Sequence, residues 1–357
     1  MDLIVLIFSF LCVLGLIDKI IQRWGLAQYV DAAVFAMSST ILPYIGICCV
    51  GAVLVGKLTQ VLSVSESYLP AIIIGSLLSP DLGGFKLCQE IVREQEWFFF
   101  CSLILAGCIG QFISFQLPIF SSTIHDSQDI LIQGFIAGII AAPAGILTGG
   151  VVIGIPLLSI LCNCLPVWAI CILIAVGFLK RPALTQRVLK MFGEVLQSLC
   201  IGLFAAVVIL LQINPNSILG HLADSMVTFI KMLVIVIGGT ILSALIQKCL
   251  KVSFTMKVFH LDPVSFSGIL LNSISSVAMS PLWPQMSPRG KCINAAFAVS
   301  GAYMLGGQMT FAIAAENSRI LAAFFSAKIV AGALSILITV VQSELFMRSE
   351  HEMLETK

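Results

Sequence analysis

The sequence predicts an all-α polytopic membrane protein with about nine to eleven transmembrane helices. Of its 357 residues, 59% are hydrophobic and only 10% are charged, whereas soluble domains carry about 25% charged residues. So few charges cannot cover a water-exposed surface, and a lipid bilayer is the solvent that removes this problem. The formal net charge of +1 provides no basic surface for phosphates, which excludes a nucleic-acid partner.

Apolar segments follow one another along the chain and leave no room for a soluble domain between them. The first segment has neither a basic start nor a small-residue cleavage site, so we interpret it as a span rather than a signal peptide. We expect a single membrane domain over 1–342 and a polar tail over 343–357. The segments are 3–22, 33–56, 68–85, 97–119, 129–150, 158–179, 195–213, 225–247, 263–284, 292–313 and 319–342.

Basic loops predict the orientation of the spans. Residues 180–190 and 248–257 are rich in Lys and Arg, and the positive-inside rule places both in the cytoplasm. The basic residues that follow segment 263–284 reach the same side only if that segment turns back within the membrane. Segment 68–85, which Pro80 interrupts, is also expected to turn back within the membrane.

This sidedness predicts two inverted repeats, 1–157 and 190–342, which a span at 158–179 joins. Inverted repeats with broken helices are a recurrent transporter architecture, in which the substrate site lies near the middle of the membrane. Eleven plain spans with a few misplaced charges are the alternative.

Segment 79–84, with the sequence Ser-Pro-Asp-Leu-Gly-Gly, is the clearest interruption of a span. Non-helical backbone at membrane depth is tolerated only where protein or a water-filled cavity satisfies it. A carboxylate there indicates function, because an unpaired charge in hydrocarbon is costly. The segment therefore suits a small cation. Capping of the next helix by Asp81, or its pairing with Lys86, is the alternative.

Other intramembrane features favour structural roles. Lys328 lies near the middle of its span, so we expect it to face the bundle interior and to pair with a carboxylate or with carbonyl groups. Lys231 lies close enough to the end of its span to reach the interface. Gly134 and Gly138 are expected to let a neighbouring helix approach closely.

Motifs for catalysis are missing from the sequence. It contains neither the H-E-x-x-H motif of zinc proteases nor a P-loop for nucleotides. Most cysteines lie in apolar runs, where free Cys behaves as a small hydrophobic residue, and they form no zinc-ligand set. We therefore expect no enzymatic activity, no metal and no cofactor.

The C-terminal third carries a specific motif. The stretch R-G-K-C-I-N-A-A-F-A-V-S at 289–300 closely resembles R-G-K-x-I-N-x-A-F-A-V-S of the ethanolamine utilisation permease (EutH) family. The stretch D-L-G-G-F at 81–85, followed by Glu90, is similar to that family's D-M-G-G-F…E. Asp18, Pro118 and Pro143 match further in the same order, so the likeness extends from the first predicted span to the last.

This resemblance implies uptake of ethanolamine or a closely related small amine across the bacterial cytoplasmic (inner) membrane. The implied partners are the small-molecule amine and the lipid bilayer, and a homo-oligomer is left open. A carrier for another small polar solute, or a non-transporting protein such as an intramembrane transferase, is the alternative. The expected substrate-binding residues are Ser79, Asp81, Gly83, Gly84, Asn272, Ser275, Asn294 and Gln308.

One departure from the family pattern concerns this expected site. Where the family reads L-G-D-H, the chain has Leu305-Gly306-Gly307-Gln308. A carboxylate and an imidazole are thus replaced by glycine and an amide, which predicts a difference in the amine that is recognised or in its affinity.

Overall fold

The computed structural model describes residues 3–38, 41–51, 53–54, 67–78, 84–124, 126–249, 261–315 and 317–355. Over these ranges the chain is helical and contains no β-strand, which confirms the all-α prediction. The helices are α1 (Leu3–Ile21), α2 (Ala27–Ser38), α3 (Ile41–Gly46, with π-helical Ile47–Gly51), α4 (Leu69–Leu77), α5 (Gly84–Ile91), α6 (Gln95–Phe99, with π-helical Phe100–Gly110), α7 (π-helical Phe112–Gln116, with Leu117–Thr123), α8 (Gln128–Ile153), α9 (Leu157–Asn163), α10 (Leu165–Lys180), α11 (Pro182–Ile213), α12 (Leu219–Cys249), α13 (Pro263–Ile274), α14 (Ser276–Met279, with 3₁₀ turn Ser280–Gln285), α15 (Pro288–Ser300), α16 (Gly307–Ala314) and α17 (Ser318–Glu355).

Four helices in the described ranges are long and apolar enough to cross a membrane: α8, α11, α12 and α17. Three further spans arise if each bent pair of helices crosses as one, namely α2 with α3, α6 with α7, and α9 with α10. The polytopic class is therefore confirmed. The number of crossings stays a prediction, because this length criterion does not count short helices such as α4, α5 and α13.

Helix α8 is the centre of the bundle and packs along both α15 and α17. Its small residues make this close approach possible, as predicted. A Cβ atom at Gly134 would stand 2.5 Å from the Cβ of Ala295, and one at Gly138 would stand 2.5 Å from the carbonyl oxygen of Ala296. The glycines of α8 thus serve internal packing and bring α15 against the core.

Segment 263–285 enters and leaves the bundle at the same end. The carboxylate of Asp262 caps α13 by accepting a hydrogen bond from the Ser265 amide at 2.8 Å. The same carboxylate accepts a hydrogen bond from the amide of Ser287, the N-cap of α15, at 3.1 Å. Because one side chain bonds to the first turn of α13 and to the start of α15, the intervening helices form a hairpin.

The first half of the chain has an equivalent closure. The ring of Tyr68, just before α4, stacks on the ring of Trp97 in the first turn of α6, with centroids 4.2 Å apart. Helices α4 and α5 therefore also start and finish at one end of the bundle. Residues 79–83, which follow α4 and precede α5 in the sequence, lie outside the described ranges.

Corresponding positions in the two halves make corresponding contacts. A Cβ atom at Gly75 of α4 would stand 2.3 Å from the carbonyl oxygen of Cys101, and one at Gly268 of α13 would stand 2.7 Å from Oδ1 of Asn294. The step along the chain from Gly75 to Gly268 equals the step from Cys101 to Asn294. Similarly, α1 packs on α12 and α11 packs on α3. The division into two inverted repeats remains a prediction to which these contacts lend support.

The double cap made by Asp262 predicts a pH-dependent stability. Burial raises the pKa of this carboxyl, but hydrogen bonds from Ser265 and Ser287 outweigh burial and hold the pKa at about 2, below its ordinary 3.8. A lowered pKa contributes stability above pH 3.8 that is lost as the pH falls toward 2. We expect Asp262→Ala to lower the free energy of unfolding by about 1 kcal/mol at pH 7.

Thermal unfolding of the detergent-solubilised protein as a function of pH measures this effect. The difference between wild type and Asp262→Ala should shrink as the pH falls from 4 to 2. The matched control is Asp224→Ala, which removes an exposed carboxylate from α12 and should change little. A difference that persists unchanged at pH 2 would show that the charge of Asp262 does not fasten the hairpin.

Candidate substrate site

Two interrupted helices cross in the C-terminal half of the chain. The first interruption is at Ser275, whose extended backbone (φ −158°, ψ 121°) separates α13 from α14. The second is the irregular segment 301–306 between α15 and α16, where Tyr303 has a left-handed backbone (φ 60°). Such breaks release peptide groups from the helical ladder, and these groups need other partners.

The two breaks satisfy each other. The amide of Tyr303 donates to the carbonyl of Asn272 at 3.1 Å, and the amide of Leu305 donates to the carbonyl of Ser273 at 2.7 Å. Gly306 permits this contact, because a Cβ atom there would stand only 2.0 Å from the carbonyl oxygen of Ile274. The crossing is thus a backbone-to-backbone contact between two discontinuous helices.

A small cavity opens at this crossing. Its volume is about 10 Å³, enough for about one water molecule. Ser275, Tyr303 and Gly307 line it from the two breaks, while Met37 and Met232 close it from α2 and α12. Predicted site residue Ser275 therefore lies at a cavity, together with Tyr303 and Gly307, which the sequence reasoning did not single out as binding residues.

Buried amides and hydroxyls form a hydrogen-bond network next to the cavity. Nδ2 of Asn272 donates to the carbonyl of Asn294 at 2.9 Å, and Oδ1 of Asn272 accepts from the Ser276 hydroxyl at 2.6 Å. Gln116 donates to the same hydroxyl at 3.0 Å. Asn294 in turn donates to the carbonyl of Ser265 at 2.9 Å. The structure thus brings predicted residues Asn272 and Asn294 together, and their amide groups hold α13 against α15.

Within this network, Oδ1 of Asn294 and Oε1 of Gln116 have no hydrogen-bond partner among the described residues. Gln308 lies outside the network. Its side chain is 1% exposed, and neither its amide nitrogen nor its carbonyl oxygen has a hydrogen-bond partner among the described residues. Unsatisfied buried polar groups cost about 1–3 kcal/mol each. A buried amide with free donors and a free acceptor, one residue after cavity-lining Gly307, is available to a polar ligand.

Lys328 lies beside Gln308. A Cβ atom at Gly107 of α6 would stand 2.9 Å from Oε1 of Gln308 and 3.3 Å from Nζ of Lys328, so both polar groups occupy the space that this glycine leaves. The Lys328 ammonium donates to the carbonyl of Gly107 at 2.6 Å and to that of Ala302 at 2.8 Å. The predicted pairing of Lys328 with carbonyl groups is confirmed.

Further buried polar atoms without a partner among the described residues occur in α6, α16 and the bend between α6 and α7. They are the hydroxyl oxygens of Ser102 and Thr310 and both amide atoms of Gln111. Together with Gln308 they add unsatisfied polar atoms to the core of the described bundle. Such groups are typical of substrate or ion pathways.

The remaining predicted residues lie between positions 79 and 84 of the sequence. Ser79, Asp81 and Gly83 lie outside the described residues. Gly84 is buried at the start of α5, and the ring of the next residue, Phe85, lies 4.9 Å from that of Phe311 on α16. The start of α5 thus reaches the helix that carries Gln308. A substrate role for these four residues stays a prediction.

The lysine of the R-G-K stretch anchors a loop. Nζ of Lys291 donates to the Asp126 carboxylate at 2.7 Å and to the Ser127 hydroxyl at 3.0 Å, and it lies 5.8 Å from the centroid of the Trp283 ring. The hydrogen bond from Lys291 holds the pKa of the Asp126 carboxyl below its usual range. The motif therefore fastens α15 to the loop before α8, at the end where the second hairpin begins.

This anchor predicts a loss of stability when Lys291 is replaced. A hydrogen bond between two charged groups is worth about 2 kcal/mol when one partner is buried, and the Lys291 side chain is 9% exposed. We expect Lys291→Met to lower the free energy of unfolding by about that amount, measured by denaturant titration in detergent. The exposed Lys190–Glu194 pair supplies the control, since Lys190→Met should cost less than about 0.5 kcal/mol. Equal losses for the two variants would contradict an anchoring role.

The described residues hold no group of three or more His, Cys, Asp or Glu side chains that could bind a metal ion. The site consists of carbonyls, hydroxyls, amides and one ammonium group. These groups can form hydrogen bonds with a small polar solute.

A family model described as "Ethanolamine utilisation protein, EutH" matches residues 1–341. The chain belongs to the EutH family. The probable ethanolamine permease EutH of Listeria monocytogenes is 28% identical over 97% of this chain and 95% of its own length. The probable ethanolamine permease EutH of Escherichia coli is 25% identical over 89% of this chain and 90% of its own, and the uncharacterized protein YxeR of Bacillus subtilis is 26% identical over 93% and 92%. No solved structure matches the chain significantly.

Membership of the EutH family makes this chain a multi-pass membrane protein of a permease family. The names of its relatives point to a transporter role. The relatives come from bacteria, in agreement with a bacterial membrane location.

Proposed function

We propose that the chain carries ethanolamine, or a closely related small amine, across the bacterial cytoplasmic membrane into the cell. The observation that carries the proposal is family membership over residues 1–341, together with relatives named as probable ethanolamine permeases. The crossing of two broken helices, with the buried polar side chains around it, supports it, because transporters of inverted-repeat architecture bind substrate at such breaks.

Ethanolamine has two polar ends, and the proposed site offers a partner for each. Its hydroxyl both donates and accepts a hydrogen bond, as does the unpartnered amide of Gln308. Its ammonium needs oxygen acceptors, for which we propose the Ser275 hydroxyl and the carboxylate of Asp81. The Lys328 ammonium repels the substrate's ammonium by Coulomb interaction, so the hydroxyl end is the one that faces Gln308.

The alternative is a carrier for another small polar solute on the same scaffold. Gly307 and Gln308 favour this alternative where they replace the aspartate and histidine of the family pattern, because the cavity then lacks a carboxylate and an imidazole. A non-transporting membrane protein, such as an intramembrane transferase, is the candidate from another class. An inverted-repeat membrane domain and a homo-oligomer remain parts of the proposal.

Uptake of labelled ethanolamine into proteoliposomes tests the proposal. We expect saturable uptake by wild type that unlabelled ethanolamine competes away, and loss of uptake in Asp81→Asn at equal reconstitution. Saturable uptake of a different small solute, with none of ethanolamine, would favour the alternative carrier. No uptake of any small amine or amino alcohol by folded protein would overturn the proposal, and unchanged uptake by Asp81→Asn would remove that carboxylate from the mechanism.

A further inference from the structure

Lys328 occupies a position that a free cation would otherwise fill. Its side chain is 2% exposed and lies where α6 and the break after α15 meet, since its two acceptors are the carbonyls of Gly107 and Ala302. The Ser300 hydroxyl donates to the neighbouring carbonyl of Cys108 at 2.7 Å, which joins the same two segments. The ammonium therefore lies at the contact between one long π-helical stretch and one broken helix.

The oxygen atoms around Lys328 form a cation cradle. Ala302 follows the C-terminal end of α15, where the helix dipole concentrates negative partial charge. Unwound carbonyls and the C-terminal ends of half-helices are the groups that coordinate cations in transporters with broken helices. Gly107 leaves room for the cradle because it has no Cβ atom, and the free Oε1 of Gln308 borders the same space.

Within the described part of the chain, the charge of Lys328 faces these dipoles and no carboxylate. Among the described residues the ion pairs are Lys19–Asp31, Lys190–Glu194 and Lys291–Asp126, none of which includes Lys328. A lysine ammonium has three donors, and the two hydrogen bonds to carbonyls use two of them. The site thus resembles one that binds a primary ammonium or a small metal cation, with the cation tethered to the chain.

We propose that the carbonyls of Gly107 and Ala302 form a binding site for a primary ammonium, which the wild-type protein fills with the side chain of Lys328. The wild-type protein therefore binds no free sodium ion at this crossing. Removal of the lysine side chain creates a vacant site for a free small primary ammonium. This inference does not depend on which solute the protein carries.

Thermal unfolding of the purified protein in detergent tests the site, with methylammonium chloride as the probe. We expect Lys328→Ala to unfold several degrees below wild type, and methylammonium to restore about 3–5 °C of the loss. Tetramethylammonium chloride at equal concentration should have no effect, because it has no N–H donor. Wild type, whose site is filled, should respond to neither salt.

The matched control is Lys231→Ala, which removes an exposed lysine from α12 and should respond to neither salt. If Lys328→Ala does not fold, Lys328→Met keeps the length of the side chain, and its lower unfolding temperature should not recover with methylammonium because the methionine fills the space. The proposal is overturned if methylammonium fails to stabilise a folded Lys328→Ala, or stabilises Lys231→Ala equally.

A measurement on wild type decides the case in which neither variant folds. Unfolding temperatures in sodium chloride and in N-methylglucamine chloride, at equal ionic strength, should agree within about 1 °C. A sodium-specific rise would show that a free cation binds in the presence of Lys328, and it would overturn the proposal. Neither outcome requires ethanolamine transport, so failure of this inference is distinct from failure of the proposed function.

Discussion

Gly306→Ala is expected to cost about 3 kcal/mol or more of folding free energy and to abolish transport. The added Cβ atom would stand 2.0 Å from the carbonyl oxygen of Ile274, and both sides of this contact are backbone, so no side-chain rotation relieves it. The break after α15 must then move away from the break after α13. That movement breaks the hydrogen bonds that the amides of Tyr303 and Leu305 donate across the crossing.

Thermal unfolding and size-exclusion profiles of the purified variant measure this loss. Gly202→Ala is the matched control, because a Cβ atom there meets nothing within 4 Å and α11 gains about 1 kcal/mol of helix propensity. An unfolding temperature for Gly306→Ala as high as that of the control would contradict the close approach of the two breaks.

Gln308→Leu is expected to raise the stability of the protein and to weaken its preference for ethanolamine over ethylamine. The wild-type amide is buried without a described partner, so its replacement by an apolar side chain should stabilise the empty protein by about 1 kcal/mol or more. If the amide receives the substrate hydroxyl, the same change should raise the KM for ethanolamine about tenfold, which corresponds to one lost hydrogen bond. The KM for ethylamine, which has no hydroxyl, should stay within about twofold.

Gln116→Leu serves as the control for this pair of effects. Its amide nitrogen donates to Ser276 at 3.0 Å, so the substitution should lower stability rather than raise it and should not discriminate between the two amines. Parallel unfolding curves and uptake assays for both substrates separate the variants. Equal increases in KM for ethanolamine and ethylamine in Gln308→Leu would contradict a contact between Gln308 and the hydroxyl.

Much of the fold follows from local sequence signals. Continuous apolar runs predicted the long helices, since each can be recognised without reference to the rest of the chain. The misplaced charges after segment 263–284 predicted a turn-back, and the hydrogen bond that the Ser287 amide donates to the Asp262 carboxylate agrees with it. The burial of Lys328 against carbonyl groups was also predictable, because a lysine in the middle of a span needs an interior partner.

The candidate site was only partly predictable, because its contacts join residues far apart in the sequence. Asn272 and Ser275 were among the expected substrate-binding residues, but no local pattern reveals that Gly107 makes room for Gln308 and Lys328. The R-G-K stretch attracted attention as a family motif, yet Lys291 contacts Asp126 in a loop 165 residues away. Long-range pairs of this kind require the three-dimensional structure.

The central claim is that the polar solute binds at the crossing of the two broken helices. Isothermal titration calorimetry of ethanolamine into purified protein, comparing Ser275→Val with Ser267→Val, tests it most directly. Ser275 lines the cavity, whereas the Ser267 hydroxyl donates to the carbonyl of Pro263 within the same helix. Binding that survives Ser267→Val and disappears in a folded Ser275→Val is the predicted result. Equal dissociation constants for wild type and both variants would contradict the claim.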